Sequence, residues 1–472
     1  MSNLIKNVSF YSIGNILPQA VGFVLLPIYS RYLSPSDYGI VSSMQVVGGI
    51  LAVFLTLAIN NSVYRLYFDY KTEKRRKEYL GTVSISIAII SFVIVFLLFL
   101  FRNFVSQIFK GIEFFPYYMY AILTAYFTVF SLIPKIYLQV NKKAGKFVSI
   151  SLSQFFISTS LILYFVIKEG AGAEGMLKGT MIASIIMLPV YFYITYKTIS
   201  FTVNRKILKE SLSFSLPMIP SLLSAWILNL SDRIFIERYF DLNDVGLYSM
   251  GYKIGSLVLV FASAFNLAYG PIFYKLASSE NQDLAKKKLK QYNHLFVLVL
   301  ILVVFLISFF SKEAILLLLD PKYFEAYKII PIIAFSCLIS QTTGLLNLSI
   351  YQNKKTLQMM YMILGGAGFN IFMNFVLVPK YGPYGAAAAT VLSFCFLFLL
   401  QYNYSKKCYF IPFRWKELVG HVTVLVLVFL ILDYVLILPV FMALLTKIAI
   451  CLGVLFFFYK KHMRSFKSFL NR

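Results

Sequence analysis

Apolar runs about twenty residues long, separated by short polar stretches, recur along the whole chain. A helix needs roughly 20 such residues to cross a bilayer, so the pattern points to an all-α, polytopic membrane protein. About fourteen such helices fit along the chain. Composition agrees. Of 472 residues, 59% are hydrophobic and 13% charged, and the mean hydropathy is +0.77, more than a soluble domain needs to fill its core. The first run starts near Val8 and passes Pro27 without an Ala-x-Ala cleavage signal, which reads as a retained first helix.

The formal charge of +25 would suggest nucleic acid as the partner of a soluble protein. In a membrane protein it reads as orientation, because Lys and Arg collect in cytoplasmic loops, and no nucleic acid is expected. Clusters at Arg65–Lys77, Lys142–Lys146, Lys197–Lys209, Lys286–Lys290, Lys406–Lys416 and Lys460–Arg472 all fall on one side of the alternating helices. That side is predicted to be the cytoplasm, with both chain termini on it. Cys337, Cys395, Cys408 and Cys451 are scattered and read as core filler. His294, His421 and His462 stand alone, so neither a metal site nor a catalytic dyad can be assembled from them. With no phosphate-binding loop motif in the chain, direct ATP hydrolysis is not expected.

An internal duplication is visible. Arg31 to Ser42, RYLSPSDYGIVS, returns as Arg238 to Ser249, RYFDLNDVGLYS. Asn141-Lys142-Lys143 returns as Asn353-Lys354-Lys355, and Gly172, Gly175 and Thr180 return as Gly382, Gly385 and Thr390. Three matches in order, at a near-constant separation, indicate a repeat of about six helices. An even number keeps the orientation, so two parallel lobes are expected, related by an axis along the membrane normal. The expected organisation is an N-terminal lobe over 1–199, a cytoplasmic linker over 200–210, a second lobe over 211–408 and an appended helix pair with tail over 409–472. Pro18 and Pro27 in the first helix correspond to Pro217 and Pro220 in the seventh. Prolines that interrupt matching helices mark hinge or binding elements of a transporter, although proline also bends membrane helices with no further role.

Charged residues within or at the ends of spans need an explanation, because an ionised group in lipid costs several kcal/mol unless it meets water, protein or a partner. Asp232, Arg233 and Glu237 lie at the end of the seventh helix, where Arg233 and Glu237 are spaced to pair as a structural clamp. Lys253 lies deep in the eighth helix and suits a phosphate or carboxylate facing an aqueous cavity, or a static lock with Asp232 or Glu237. Lys135 could do similar work or snorkel. Arg65 could catch an anionic headgroup or serve only as a topology signal. Asp433 and Lys447 read as local structure, and Gly251-x-x-x-Gly255 would allow close helix packing.

The segment Ser231-Asp232-Arg233-Ile234-Phe235-Ile236, followed by Asp244 to Ser249 and Tyr252-Lys253-Ile254, resembles the seventh and eighth helices of the Wzx-type polysaccharide flippases. Leu33 to Gly39, LSPSDYG, and Tyr381 to Ala387, YGPYGAA, are similar to that family too. The wider group is the multidrug/oligosaccharidyl-lipid/polysaccharide (MOP) exporter superfamily, which includes multidrug extruders and the lipid II flippase. The resemblance implies two six-helix lobes around a central cationic cavity, alternating access, and no catalysis. The implied cargo is undecaprenyl-pyrophosphate carrying an oligosaccharide such as an O-antigen or capsule repeat, moved across the bacterial inner membrane. Arg233 and Lys253 fall on positions implied to meet the pyrophosphate, with Arg31 and Arg65 as further candidates, while Lys135 and Asp232 join the candidate substrate contacts on their place in the spans. Membrane lipids, and a polysaccharide polymerase with its chain-length regulator, are the implied partners of a monomer. No cofactor is implied beyond a coupling ion, H+ or Na+. A MATE-like exporter of organic cations would favour an acidic cavity, whereas the deep charge here is Lys253. A polymerase or glycosyltransferase would need a larger catalytic loop than any the chain holds.

Overall fold

The computed structural model describes residues 17–18, 20–434, 445–453 and 460. The start of the first helix from Val8, the junction of the last two helices, both termini and the side chain of Asp433 lie outside the described residues. All regular structure among those described is helical, and ten helices are long and apolar enough to cross a membrane. By its internal contacts the chain divides into two compact units between Ser249 and Met250.

The first unit contains α1 (Leu26–Tyr32), α2 (Pro35–Thr56), α3 (Ile59–Leu66), α4 (Glu73–Leu100), α5 (Met119–Val129), α6 (Leu132–Val140), α7 (Ala144–Leu163), α8 (Gly172–Ile186), α9 (Leu188–Thr198), α10 (Arg205–Ser215), α11 (Ile219–Leu230) and α12 (Asp232–Tyr239). The division falls within α13 (Leu242–Gly255). The second unit continues with α14 (Leu257–Ala277), α15 (Gln282–Phe309), α16 (Ser311–Leu318), α17 (Ile330–Gln352), α18 (Thr356–Ser405) and α19 (Trp415–Tyr434).

Helix α2 is the hub of the first unit and packs on α4, α5, α8 and α11. It buries Met44, Val47, Leu51 and Leu55 against Val83, Ile87 and Ile122. Its start is written in the sequence. The Ser34 hydroxyl accepts the Asp37 N–H at 3.0 Å while Asp37 Oδ2 accepts the Ser34 N–H at 3.0 Å, and Pro35 opens the first turn. Two orphan backbone donors are satisfied reciprocally. The second Asp37 oxygen accepts the Ala173 N–H at 3.2 Å, tying the start of α2 to the start of α8. The end of α2 is unusual, because Leu57 (φ 45°) and Ala58 (φ 56°) are both left-handed without being glycine. Such residues cost of order 1–3 kcal/mol each and persist where the surroundings demand them.

The duplication is legible in the backbone. Lys142 and Lys354 share the same φ of 56°, and Gly172 (φ 51°) matches Gly382 (φ 57°). Asn141 closes the end of α6 with a side-chain bond to the Tyr137 carbonyl at 2.9 Å, and Asn353 does the same at the end of α17 to Ser349 at 3.3 Å. Gly382 also breaks α18, whose 50 residues would span about 75 Å at ~1.5 Å per residue, more than twice the hydrocarbon layer. It therefore holds two membrane-length helices, one on either side of Gly382. Within the first unit the repeated motif also packs on itself. A Cβ on Gly39 would lie 1.9 Å from the Leu242 carbonyl oxygen, and one on Gly246 would lie 1.8 Å from that of Pro35.

In the second unit α15 packs against α14, α17 and α19, and α17 packs along α18. Gly251 and Gly255 let α13 approach the start of α17, with their would-be Cβ atoms 2.8 Å from the Ala326 oxygen and 2.9 Å from that of Ile330. Small residues let backbones come close where lipid offers helices no other reason to associate.

Candidate functional site

The densest group of buried charge in the first unit is set by the junction of α11 and α12. Asp232 is wholly buried, and its Oδ2 accepts the Tyr248 O–H at 2.5 Å. Arg233, 5% exposed, donates from Nη1 to the Asn229 carbonyl at 2.8 Å, stands 4.0 Å from Asp232 Oδ2 and lies 5.1 Å from the Tyr248 ring centre. A buried guanidinium requires this, since an uncompensated charge costs several kcal/mol, and the tyrosine face adds a cation–π attraction. Spacing alone would let Arg233 and Glu237 pair. The Glu237 carboxylate is instead taken by the Gly111 N–H, at 2.6 Å, so it clamps α12 to the turn ahead of α5.

Other cations singled out in the sequence stand on α1, α3, α6 and α13. Lys135, on α6, donates to Gln154 Oε1 at 2.9 Å, and the Tyr191 O–H meets the same oxygen at 2.7 Å. Arg65 is exposed and pairs with Asp69 at 2.6 Å. Arg31 is exposed in the last turn of α1. In the second unit Lys253 is exposed in the last turn of α13, where a cation suits the negative end of the helix dipole. Pro27 opens α1 and Pro220 opens α11 at matching positions, and Pro217 sits in the tight turn Leu216–Met218 that separates α10 from α11. Pro18 lies in helical backbone ahead of α1.

Several polar features had no signal in the sequence pattern. A cavity of about 430 Å³ opens inside the first unit against α2, α3, α5 and α8, with Gln45, Asn60, Thr124, Thr128 and Thr180 on its wall. In the second unit Asn370, Asn374 and Ser393 are wholly buried, with Asn370 donating to the Ser393 hydroxyl at 3.2 Å and Asn374 to Asn370 Oδ1 at 3.0 Å. Lys447, read in the sequence as local structure, forms a buried ion pair at 2.9 Å with Glu313, which had not stood out, and also donates to the Phe309 carbonyl at 2.9 Å. Two adjoining apolar cavities, about 510 and 380 Å³, lie among α15, α17, α18 and α19, sharing Ile301, Phe335, Leu338 and Val422. Cys408, in the loop after α18, has its thiol pushed up by burial.

Residues 4–277, more than half of the chain, match the family described as polysaccharide biosynthesis protein. The chain belongs to that family. Residues 217–376 also match the MatE family. The capsular polysaccharide biosynthesis protein CapF of Staphylococcus aureus is 23% identical over 427 residues, covering 86% of this chain and 99% of the relative. An uncharacterized membrane protein of Methanocaldococcus jannaschii is 23% identical over 433 residues, covering 84% and 83%. Among solved structures, the lipid II flippase MurJ in its inward closed conformation superposes with a TM-score of 0.74 at 17% identity, over 98% of this chain and 99% of that one. The family member therefore has the polytopic fold of these structures, with helices long and apolar enough to cross a membrane.

Proposed function

We propose that this chain moves an undecaprenyl-pyrophosphate-linked oligosaccharide, of the O-antigen or capsule kind, from the cytoplasmic to the outer leaflet of the bacterial inner membrane. Membership of a polysaccharide biosynthesis family, on a fold shared with a lipid-linked glycan flippase, carries the reading. The chemistry is consistent with it. A sugar diphosphate cannot enter hydrocarbon unaided, whereas hydrated cations lower that barrier. Lys253, Arg233, Arg31, Arg65 and Lys135 are the proposed contacts for the pyrophosphate. Asp232 positions Arg233, and Pro18, Pro27, Pro217 and Pro220 are the proposed hinges of alternating access. The apolar cavities along α15 and α19 suit the isoprenoid anchor, which has no polar group to satisfy. The protein works without catalysis, as a multi-pass monomer beside a polymerase and its chain-length regulator, with H+ or Na+ as candidate coupling ions.

Deletion should leave the lipid-linked glycan on the cytoplasmic face of the membrane and the surface without polysaccharide. Lys253→Ala should give the same loss with normal insertion and abundance. Normal polysaccharide in that variant would remove Lys253 from the mechanism, and a deletion strain whose glycan reaches the outer face would sink the reading itself. The match of residues 217–376 to the MatE family favours a second reading, a drug or metabolite exporter. In that case deletion would change drug susceptibility and leave the surface polysaccharide intact.

A further inference from the structure

We propose that the cavity inside the first unit is a binding site for an uncharged sugar ring, an inference that rests on the glycan cargo proposed above. Its position is fixed by the broken end of α2. The left-handed pair Leu57 and Ala58 separates Thr56 from Asn60, and both face the cavity. Interrupted membrane helices are tolerated where they border a cavity, and in transporters they mark binding sites.

The wall is selective in what it offers. Among the described residues no charged side chain lines it, although the chain carries +25, so the wall offers no cation to a phosphate or carboxylate. Among those residues there is also neither an acid nor an aromatic ring to attract an organic cation. The polar groups are hydroxyls and carboxamides, which donate and accept alike. Thr56 and Thr180 spend their hydroxyls on the Ala52 and Met176 carbonyls, at 2.9 and 2.8 Å. Among the described residues, the hydroxyls of Thr124 and Thr128 and the carboxamide of Gln45 make no hydrogen bond, and Asn60 receives only a 3.5 Å contact from Thr56. Between them stand Val41, Met44, Ala121, Ala125 and Met176. A pyranose ring has this same division, with hydroxyls around its edge and C–H groups on its faces. The volume, about 430 Å³, falls at the lower end of the roughly 300–1,000 Å³ typical of small-molecule sites.

Saturation-transfer NMR on the purified full-length protein in nanodiscs tests this with the methyl glycosides of glucose, galactose and N-acetylglucosamine. At least one is expected to receive saturation on its ring protons, and inorganic pyrophosphate should not compete. Gly48 lines the cavity and has no atom within 4 Å of a would-be Cβ. Gly48→Leu therefore fills the space without strain and should abolish the transfer. Thr124→Val with Thr128→Val should weaken Kd about fivefold per hydroxyl, the ~1 kcal/mol of a hydrogen bond, without altering shape. No transfer to any of the three sugars, undiminished transfer in Gly48→Leu, or displacement by pyrophosphate would overturn the site. If the sugars fail to bind while Lys253→Ala still strips the surface polysaccharide, the sugar site falls and the flippase reading stands.

Discussion

The buried charges differ in what surrounds them, and that decides what their removal does. Glu313 and Lys447 are 4% and 5% exposed and face each other at 2.9 Å. Taking away one partner of such a pair leaves the other charged, dehydrated and alone, which costs about 3–5 kcal/mol. Lys447→Ala should therefore lower the thermal unfolding midpoint of the purified protein markedly. The double change Glu313→Leu with Lys447→Met should recover most of the loss, because well-packed apolar groups replace a buried ion pair at little net cost. A single variant that melts with the native protein would mean the pair contributes nothing. Asp232 and Arg233 obey the same logic with one difference. Their 4.0 Å separation is loose, and Tyr248 and the Asn229 carbonyl add further contacts.

At the scale of helices, the contact of Gly39 and Gly246 is reciprocal and leaves no room for a side chain on either partner. Any Cβ there would sit under 2 Å from a backbone carbonyl, and a backbone cannot rotate away as a side chain can. Gly39→Val and Gly246→Val should each force the crossing of α2 and α13 apart, read as faster hydrogen exchange at Pro35–Gly39 and Leu242–Gly246. Gly48→Ala, with open space around it, should leave both segments unchanged. Equal exchange in all three variants would mean the contact does not hold these ends together. The repeat that produces this crossing could be read from the chain because its conserved elements are turn chemistry. Gly172 and Gly382 take a left-handed conformation, and Asn141 and Asn353 cap helices, so residue type and backbone state go together. The polar interior could not be read in the same way. Membrane helices are apolar all round, so periodicity does not separate the face toward lipid from the face toward protein. Thr124, Thr128, Asn370 and Asn374 therefore look like ordinary interruptions of apolar runs. Likewise Glu237 was legible as a clamp but not its partner, since Gly111 is brought to it only by tertiary packing.

For the molecule as a whole, the duplication and the charge pattern make one joint claim about the membrane. Lys142 and Lys354 occupy the same backbone conformation at the ends of corresponding helices, and each opens a Lys-Lys pair in a loop that the positive-inside rule assigns to the cytoplasm. If about six helices separate them, both must face the same side, whatever the total number of crossings. Reporter insertions after Lys143 and after Lys355 should then both be active in the cytoplasm and silent outside. Insertions after Glu113 and after Lys322, each in a loop on the opposite side of the alternation, should give the reverse. The four positions are coupled. One extra or missing crossing between the copies would place the two lysine loops on opposite faces, and the parallel relation of the lobes would be lost with it. Were all four reporters inverted together, the duplication would survive but the cytoplasmic placement of the basic loops would not, and the proposed direction of cargo movement would have to be reversed.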